Sequence, residues 1–209
     1  MKRASVWILV SLVLFAGQSL AGQETESGGP APRHRVINLS LGHPIYESYK
    51  TDPLCQMVEA CVRAGIVVIV SAGNFGKGPD GIVYGGITSP ANHPAVITVG
   101  AVNTHGTPKR SDDNVASYSS RGPTAIDGLI KPDIVAPGNQ VISLPEEDSL
   151  LVISHPENLV FPSGSNKVNR AYFILSGTSV AAPVVSATVA LMLEANPSLT
   201  PKAVKAILT

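Results

Sequence analysis

Residues 53–74 read PLCQMVEACVRAGIVVIVSAGN and predict a helix that leads into a buried strand. The apolar residues of 54–62 recur at helical spacing, and Gly65 ends the helical pattern. Residues 66–70 form an uninterrupted β-branched run, which is typical of a strand covered on both faces in a parallel sheet. This helix–strand unit predicts an α/β fold.

Similar patterns lie on both sides of this unit. Further apolar runs predict three strands, at residues 36–41, 95–102 and 131–138. Residues 139–171 are less regular and predict loops with a hairpin. Residues 179–195 predict a long buried helix, and Thr200-Pro201 has the cap and first-turn pattern of a last helix. The order of these elements predicts a parallel sheet with helices on its faces.

The charge balance argues against two classes of partner. The chain has 209 residues with 15 Lys plus Arg and 15 Asp plus Glu, so its formal net charge is zero. No net field favours nucleic acid or an anionic membrane surface, and we expect neither as a partner.

The first 21 residues have the layout of a secretory signal. Lys2 and Arg3 precede an apolar run at 6–15, and Ala21 closes a small-residue cleavage pattern. The run of about ten residues is shorter than the roughly 20 that span a bilayer, although an uncleaved N-terminal anchor has a similar pattern. We therefore expect a secreted or extracytoplasmic protein with a signal peptide at 1–21, a Gly- and Pro-rich linker at 22–35 and a folded domain at 36–209.

Both cysteines, Cys55 and Cys61, fall on the helix predicted at 53–64. Six residues of helix separate their Cα atoms by roughly 9 Å, which exceeds the ~7 Å that a disulfide spans. We therefore expect two buried free thiols. No Cys and His pair has metal-ligand spacing, so the sequence predicts no metal site.

Ser179 stands where a glycine-containing turn meets the start of the apolar helix at 179–195. A backbone N–H in the first turn of a helix has no partner within the helix, and such a donor can hold a developing oxyanion. The alternative is that Ser179 or Thr178 is only the N-cap of this helix.

Asn74 directly follows the predicted strand at 66–70, in the sequence Ser71-Ala72-Gly73-Asn74. Loops at the carboxyl ends of parallel strands line the ligand crevice, where the Asn74 amide can donate to a substrate. The alternative is a turn asparagine at the end of a strand.

Seven motifs in chain order resemble those of the subtilisin-like (subtilase, peptidase S8) serine peptidases. They are VINLSLG at 36–42, SAGNFG at 71–76, SPANHPAVITVGAVN at 89–103, ASYSSRGPT at 116–124, IKPDIVAPG at 130–138, SGTSVAAP at 176–183 and NPSLTPKAVKAILT at 196–209. The resemblance covers the chain from about residue 36 onward. It implies a doubly wound parallel sheet with helices on both faces and the chemistry of a serine endopeptidase.

The resemblance also implies site roles. Ser179 corresponds to the acylating nucleophile, and Asn74 with the Ser179 backbone N–H corresponds to the oxyanion hole. An extended peptide or protein substrate would pair with two segments by β-augmentation, namely Ser40, Leu41 and Gly42, and Ala72 and Gly73. Val180 and Val184 depart from the Met and His that are usual in the family, and we assign no role to Val184.

The family's catalytic Asp and His motifs have no counterpart in this sequence. A serine hydroxyl needs a base to take its proton, and the imidazole needs a carboxylate to orient it. His105-Gly106-Thr107 copies part of the histidine motif, but it follows Asn74 in the chain and predicts a turn. Asp133 matches a structural aspartate of the family. The other histidines lie in the linker or in loops beside prolines: His34, His43, His93 and His155.

We therefore expect the domain to be incomplete at its N-terminal part and the isolated chain to be inactive. One interpretation is a secreted serine endopeptidase whose N-terminal half is absent or is supplied by another chain. The other is a truncated, non-catalytic remnant that binds extended peptides. In the family the strand at 36–41 pairs with the strand that carries the catalytic Asp, so this strand is predicted to have an open edge.

Other functions and cofactors find no support in the sequence. Residues 73–78 read GNFGKG, which is not the order of the dinucleotide-binding fingerprint. Residues 177–181 lack the second glycine of the α/β-hydrolase nucleophile elbow. Calcium ligands vary within the subtilases and no acidic cluster here is diagnostic, so we assign no ion site and no cofactor.

Overall fold

The computed structural model describes residues 34–146, 148–164 and 171–209. The predicted signal peptide at 1–21 and residues 22–33 of the predicted linker lie outside the described residues.

The described residues form ten strands and four α-helices, with one 3₁₀ turn at Pro156–Asn158. In chain order they are β1 (Val36–Leu39), α1 (Pro53–Arg63), β2 (Val67–Ser71), β3 (Lys77–Gly78), β4 (Gly81–Ile82), β5 (Ile97–Asn103), β6 (Asn114–Val115), β7 (Ile134–Pro137), β8 (Val141–Ser143), α2 (Leu150–Ser154), β9 (Leu159–Val160), β10 (Tyr172–Leu175), α3 (Thr178–Ala195) and α4 (Pro201–Leu208).

The main sheet is parallel, as predicted. Strands β1, β2, β5 and β7 lie side by side in that order, and the short β6 is antiparallel to the end of β5. Strands β8, β10 and β9 form a separate antiparallel sheet, and β3 pairs with β4. Among the described residues β1 pairs only with β2, so its other edge is open there.

Helices cover both faces of the main sheet because β2 is buried at every position and apolar from Val67 to Val70. Val67 and Ile69 pack on one face with a cluster that includes Val185 of α3. Val68 and Val70 pack on the opposite face with a cluster that includes Val58 of α1. The doubly wound arrangement is therefore confirmed.

Helix α3 has the length and apolar composition of a membrane-spanning helix. It packs, however, against β1, β2, β5 and β7 in the same unit. A helix that is apolar on most sides is typical of a protein core as well as of a membrane, and here the core accounts for it.

Two expectations need correction. Cys55 is a buried free thiol, as expected, and burial raises its pKa to about 11. Cys61 is also a free thiol but is only half-buried, because it packs at the edge of the cluster that contains Val58 of α1. The region 139–171 contains not only strands but also α2, which begins at the cap Ser149.

Candidate active site

Three elements converge at one end of the main sheet. Ser40 follows β1, Asn74 follows β2, and Ser179 lies in the first turn of α3. Because β1 and β2 are parallel, their carboxyl ends share one rim of the sheet. The amino terminus of α3 meets this rim, so residues far apart in sequence form one site.

Ser179 contacts the end of β1 through two hydrogen bonds. Its Oγ lies 3.5 Å from the carbonyl oxygen of Ser40, and the Ser40 hydroxyl donates to the Ser179 carbonyl at 2.8 Å. The Ser179 side chain is half-buried. Its backbone N–H has no acceptor among residues 34–146, 148–164 and 171–209, which leaves it available to a ligand.

The N-cap of α3 is Gly177, so neither Ser179 nor Thr178 serves only as a cap. Thr178 instead connects the helix to the loop after β2. Its N–H and its hydroxyl both donate to Asn74 Oδ1 at 3.0 Å, and the Gly73 N–H donates to the Thr178 hydroxyl at 3.1 Å.

These contacts orient the Asn74 amide. Since Oδ1 accepts two hydrogen bonds from Thr178, the Nδ2 group is the donor left for a ligand. An added Cβ on Gly177 would lie 3.4 Å from Asn74 Nδ2, so a side chain there would crowd this donor. Asn74 and Ser179 are thus brought together, with two donors close to one hydroxyl.

The turn before α3 is held in place by Gly138, which directly follows β7. The Gly177 N–H donates to the Gly138 carbonyl at 2.8 Å, and the Tyr118 hydroxyl donates to the same oxygen at 2.7 Å. An added Cβ on Gly138 would lie 2.8 Å from the Gly177 oxygen, so only glycine fits this approach. The Gln140 N–H also donates to the Ser176 hydroxyl at 2.9 Å.

The two segments predicted to bind substrate differ in whether their backbone groups already have hydrogen-bond partners. Among the described residues, Leu41 and Gly42 make no hydrogen bond, so their backbone is open to an extended chain. Ala72 and Gly73 are already occupied: their N–H groups donate to Val99 O and to the Thr178 hydroxyl. The role of Ala72 and Gly73 in substrate binding stays a prediction.

An apolar cleft of about 250 Å³ adjoins Asn74. It lies between the segment after β1 and the loop after β2, and its lining includes Pro44, Ile45, Phe75, Gly86, Ile87 and Thr88. The cleft offers space for one apolar side chain beside the open backbone of Gly42.

In the described part of the chain no imidazole hydrogen-bonds to Ser179, and His34 is exposed next to β1. The other histidines have partners of their own: His43 with Asp52 at 3.7 Å, His93 with Glu59 at 3.9 Å, His105 with Asn114 at 2.8 Å and His155 with Glu157 at 3.0 Å. Burial lowers the pKa of His93.

Asp133 lies away from this site. Its carboxylate accepts from the N–H of Thr98 near the start of β5, whereas Asn74 and Ser179 lie at the carboxyl ends of the strands. It pairs with Lys131 at 2.6 Å and with Lys205 at 3.0 Å. This placement agrees with a structural role for Asp133.

Sequence reasoning missed three residues that shape the site: Thr178, Asn38 and Ser186. The sequence predicts only a possible capping role for Thr178. Asn38 had a visible signal, since it is a polar residue inside the apolar run at 36–41. Ser186 had a similar signal inside the apolar helix.

The chain is similar to known proteins in sequence and in fold. Residues 5–209 match the model of the subtilase family, peptidase S8. The chain is 43% identical over 175 residues to the serine protease AprX of Bacillus subtilis (strain 168), covering 83% of this chain and 36% of AprX. It is 32% identical over 170 residues to subtilisin DY of Bacillus licheniformis, covering 81% of this chain and 46% of that protein.

Two solved structures have a fold similar to that of this chain. The S41 psychrophilic protease superimposes with a TM-score of 0.57 at 26% identity, over 83% of this chain and 47% of that one. Sphericase superimposes with a TM-score of 0.56 at 26% identity, over 84% of this chain and 48% of that one. The chain thus spans less than half the length of these relatives. The family match and the structural agreement together place this chain in the subtilase family of serine peptidases.

Proposed function

We propose that this chain is the nucleophile-bearing part of an exported subtilisin-like serine endopeptidase. Ser179 is the nucleophile, and Asn74 Nδ2 with the Ser179 N–H binds the oxyanion. The observation that carries the proposal is the Thr178 bridge, which holds Asn74 beside Ser179 with its amide donor free.

Peptide hydrolysis at this site proceeds by acyl-enzyme chemistry. The Ser179 hydroxyl attacks the scissile carbonyl, the carbonyl oxygen gains negative charge, and the two N–H donors stabilise that charge. The open backbone of Leu41 and Gly42 supports the proposal that a substrate binds there in an extended conformation. The apolar cleft beside Gly42 supports an apolar side chain near the bond that is cut.

The attack needs a base, and we propose that the base comes from outside this chain. The partner would be a chain that supplies the family's Asp and His motifs against the open edge of β1. A second candidate function, a peptide-binding remnant without catalysis, is favoured by the same two observations. These are the open backbone at Leu41 and Gly42 and the finding that, in the described part of the chain, no imidazole hydrogen-bonds to Ser179.

A fluorophosphonate probe tests the need for an external base. We expect the isolated chain to label at Ser179 about 10⁶-fold more slowly than a subtilase with its complete triad, because the hydroxyl keeps its proton. Labelling is measured by mass spectrometry of the intact chain, with Ser179→Ala as the control for reaction elsewhere. Rapid labelling that Ser179→Ala abolishes would contradict the proposal, since a histidine of this chain would then act as the base.

Export is the second testable part of the proposal. When the full chain is expressed with secretion, we expect the exported protein to begin at Gly22, because Ala21 ends the small-residue cleavage pattern. Mass spectrometry of the N-terminal peptide identifies that start. A chain that keeps residues 1–21 and remains with the membrane would favour the uncleaved anchor instead.

A further inference from the structure

A line of buried polar side chains connects α3 to Ser179 by way of β1. The Ser186 hydroxyl donates to Asn38 Oδ1 at 2.9 Å, and Asn38 Nδ2 donates to the Ser40 hydroxyl at 3.0 Å. The Ser40 hydroxyl in turn donates to the Ser179 carbonyl at 2.8 Å. Asn38 is 1% exposed and Ser186 is 2% exposed.

The hydrogen bonds of this line all run in one direction, from Ser186 towards Ser179, with the shorter of the two Ser186 contacts made to Asn38. Ser186 is the donor to Asn38, which places the Asn38 oxygen towards α3 and its Nδ2 group towards Ser40. Because the Ser40 hydroxyl accepts from Nδ2, its single proton is available for the Ser179 carbonyl. The orientation of one buried amide thus determines which way the Ser40 hydroxyl donates.

The Asn38 amide is a polar group in an apolar part of the core. The core around β1 and α3 is apolar and includes Val36, Ala182, Val185 and Val189. A buried polar group in such a place costs free energy unless it is hydrogen-bonded. Ser186 does not need Asn38, since its hydroxyl can donate to Ala182 O at 3.1 Å instead. The Ser40 hydroxyl does need it, because among the described residues it accepts a hydrogen bond only from Asn38 Nδ2. Satisfying Ser186 therefore does not explain Asn38, whereas orienting the Ser40 hydroxyl does.

We propose that Asn38 is a positioning residue for Ser179. It fixes the donor direction of the Ser40 hydroxyl and so holds the first turn of α3 against the end of β1. The role of Ser179 as a nucleophile rests on the proposed function, whereas the positioning of the turn does not.

The first test is hydrogen exchange in the full chain carrying Asn38→Leu, a substitution that keeps the branching at Cγ and removes the amide. We expect the amides of residues 180–182 to exchange about 5- to 10-fold faster, the change that follows from losing one hydrogen bond. Amides of residues 187–193, in the later turns of α3, should keep their protection. Both are measured by mass spectrometry of peptides from the same digest.

Thr98→Val is the matched control, because it also removes a buried polar group from the sheet. The Thr98 hydroxyl donates to Ala91 O at 2.6 Å and lies near the start of β5, at the opposite end of the strand from the site. It should leave exchange at residues 180–182 unchanged. Unchanged exchange in Asn38→Leu as well would overturn the proposal, since Asn38 would then only fill space.

Ser186→Ala provides a second variant if Asn38→Leu does not fold. Without the Ser186 donor the Asn38 amide is free to turn over, so exchange at residues 180–182 should increase in the same direction. Unchanged exchange in a folded Ser186→Ala chain would count against the proposal.

A second measurement reads the reactivity of Ser179 itself, with added imidazole as the base for fluorophosphonate labelling. We expect Asn38→Leu to lower the maximal labelling rate about 10-fold without changing the probe concentration at half saturation, because a displaced hydroxyl meets the bound probe less well. An unchanged maximal rate would overturn the positioning role. If Ser179 of the unchanged chain does not label even with imidazole, the proposed function fails, and the exchange measurement still decides the role of Asn38.

Discussion

Replacing Asp133 with Asn is expected to lower the free energy of unfolding by about 3–5 kcal/mol, because it leaves a buried ammonium without its counter-charge. The Lys131 side chain is 2% exposed and its Nζ lies 2.6 Å from Asp133 Oδ2. Lys205 of α4 binds the other carboxylate oxygen at 3.0 Å. One carboxylate therefore joins β5, β7 and the last helix. The measurement is chemical denaturation at a fixed protein concentration.

The loss of unfolding free energy caused by Asp133→Asn should become smaller as the pH rises to about 8. Burial lowers the pKa of Lys131 to about 8, against an opposing effect of Asp133, and losing the carboxylate lowers this pKa further. Between the further lowered pKa of the variant and about 8, the folded variant holds a neutral amine while the unchanged folded protein still holds an ammonium, so the deficit shrinks over this range. Above about 8 both folded proteins hold the neutral amine and gain stability alike until about 10.4, the ordinary lysine pKa, so the deficit stays constant there. A deficit that does not change between pH 6 and pH 8 would contradict this explanation.

Arg63→Gln is the control for the Asp133 experiment. Arg63 pairs with Glu59 at 2.7 Å, but its side chain is 77% exposed. We expect a change of at most about 0.5 kcal/mol, as for exposed ion pairs in helices. A loss as large as that of Asp133→Asn would show that burial is not the cause.

The second large effect concerns the open edge of β1. We expect residues 22–209 to associate in dilute solution instead of remaining a monomer. Alternate residues of a strand direct their backbone groups to opposite sides, and those of Val36 and Asn38 face away from β2. Among the described residues they have no partner strand, and an unpaired apolar edge is a template for pairing with other chains. Light scattering during size-exclusion chromatography measures the mass.

A charge on this edge should oppose association. Ile37→Lys is expected to raise the monomer fraction, because a lysine disfavours edge-to-edge pairing. Ile130→Lys is the control, since Ile130 is 91% exposed and lies outside the strands. A cooperative thermal transition of the unchanged chain at monomer mass would refute the expectation.

The parts of the fold that could be predicted are those with a long, uniform pattern. The β-branched run at 66–70 and the apolar residues at 179–195 are long enough to identify β2 and α3 to within a residue or two. Strand β9 has only two residues and α2 only five, so neither is long enough to repeat its hydrophobic period. Their positions depend on tertiary packing.

The candidate site also has features that the sequence predicted and features that it could not show. The strand rule predicted that Asn74 lies at the ligand rim of the sheet, and the resemblance to the subtilases predicted that Ser179 lies beside it. Sequence could not show which backbone donors already have partners in the fold, such as the N–H groups of Ala72 and Gly73. Nor could it show the Thr178 bridge, which depends on the rotamer that this side chain adopts in the folded chain.

The junction of Gly138 with Gly177 has a consequence for engineering. The turn that carries Ser179 is anchored at this junction, at the base of the β8–β10 pair, by hydrogen bonds that do not involve the chain between those strands. Changes of chain length between Ser143 and Tyr172 are therefore expected to leave this anchor in place if they preserve the pairing of β9 with β10. Such changes provide a place for grafted loops that does not rely on altering the turn itself.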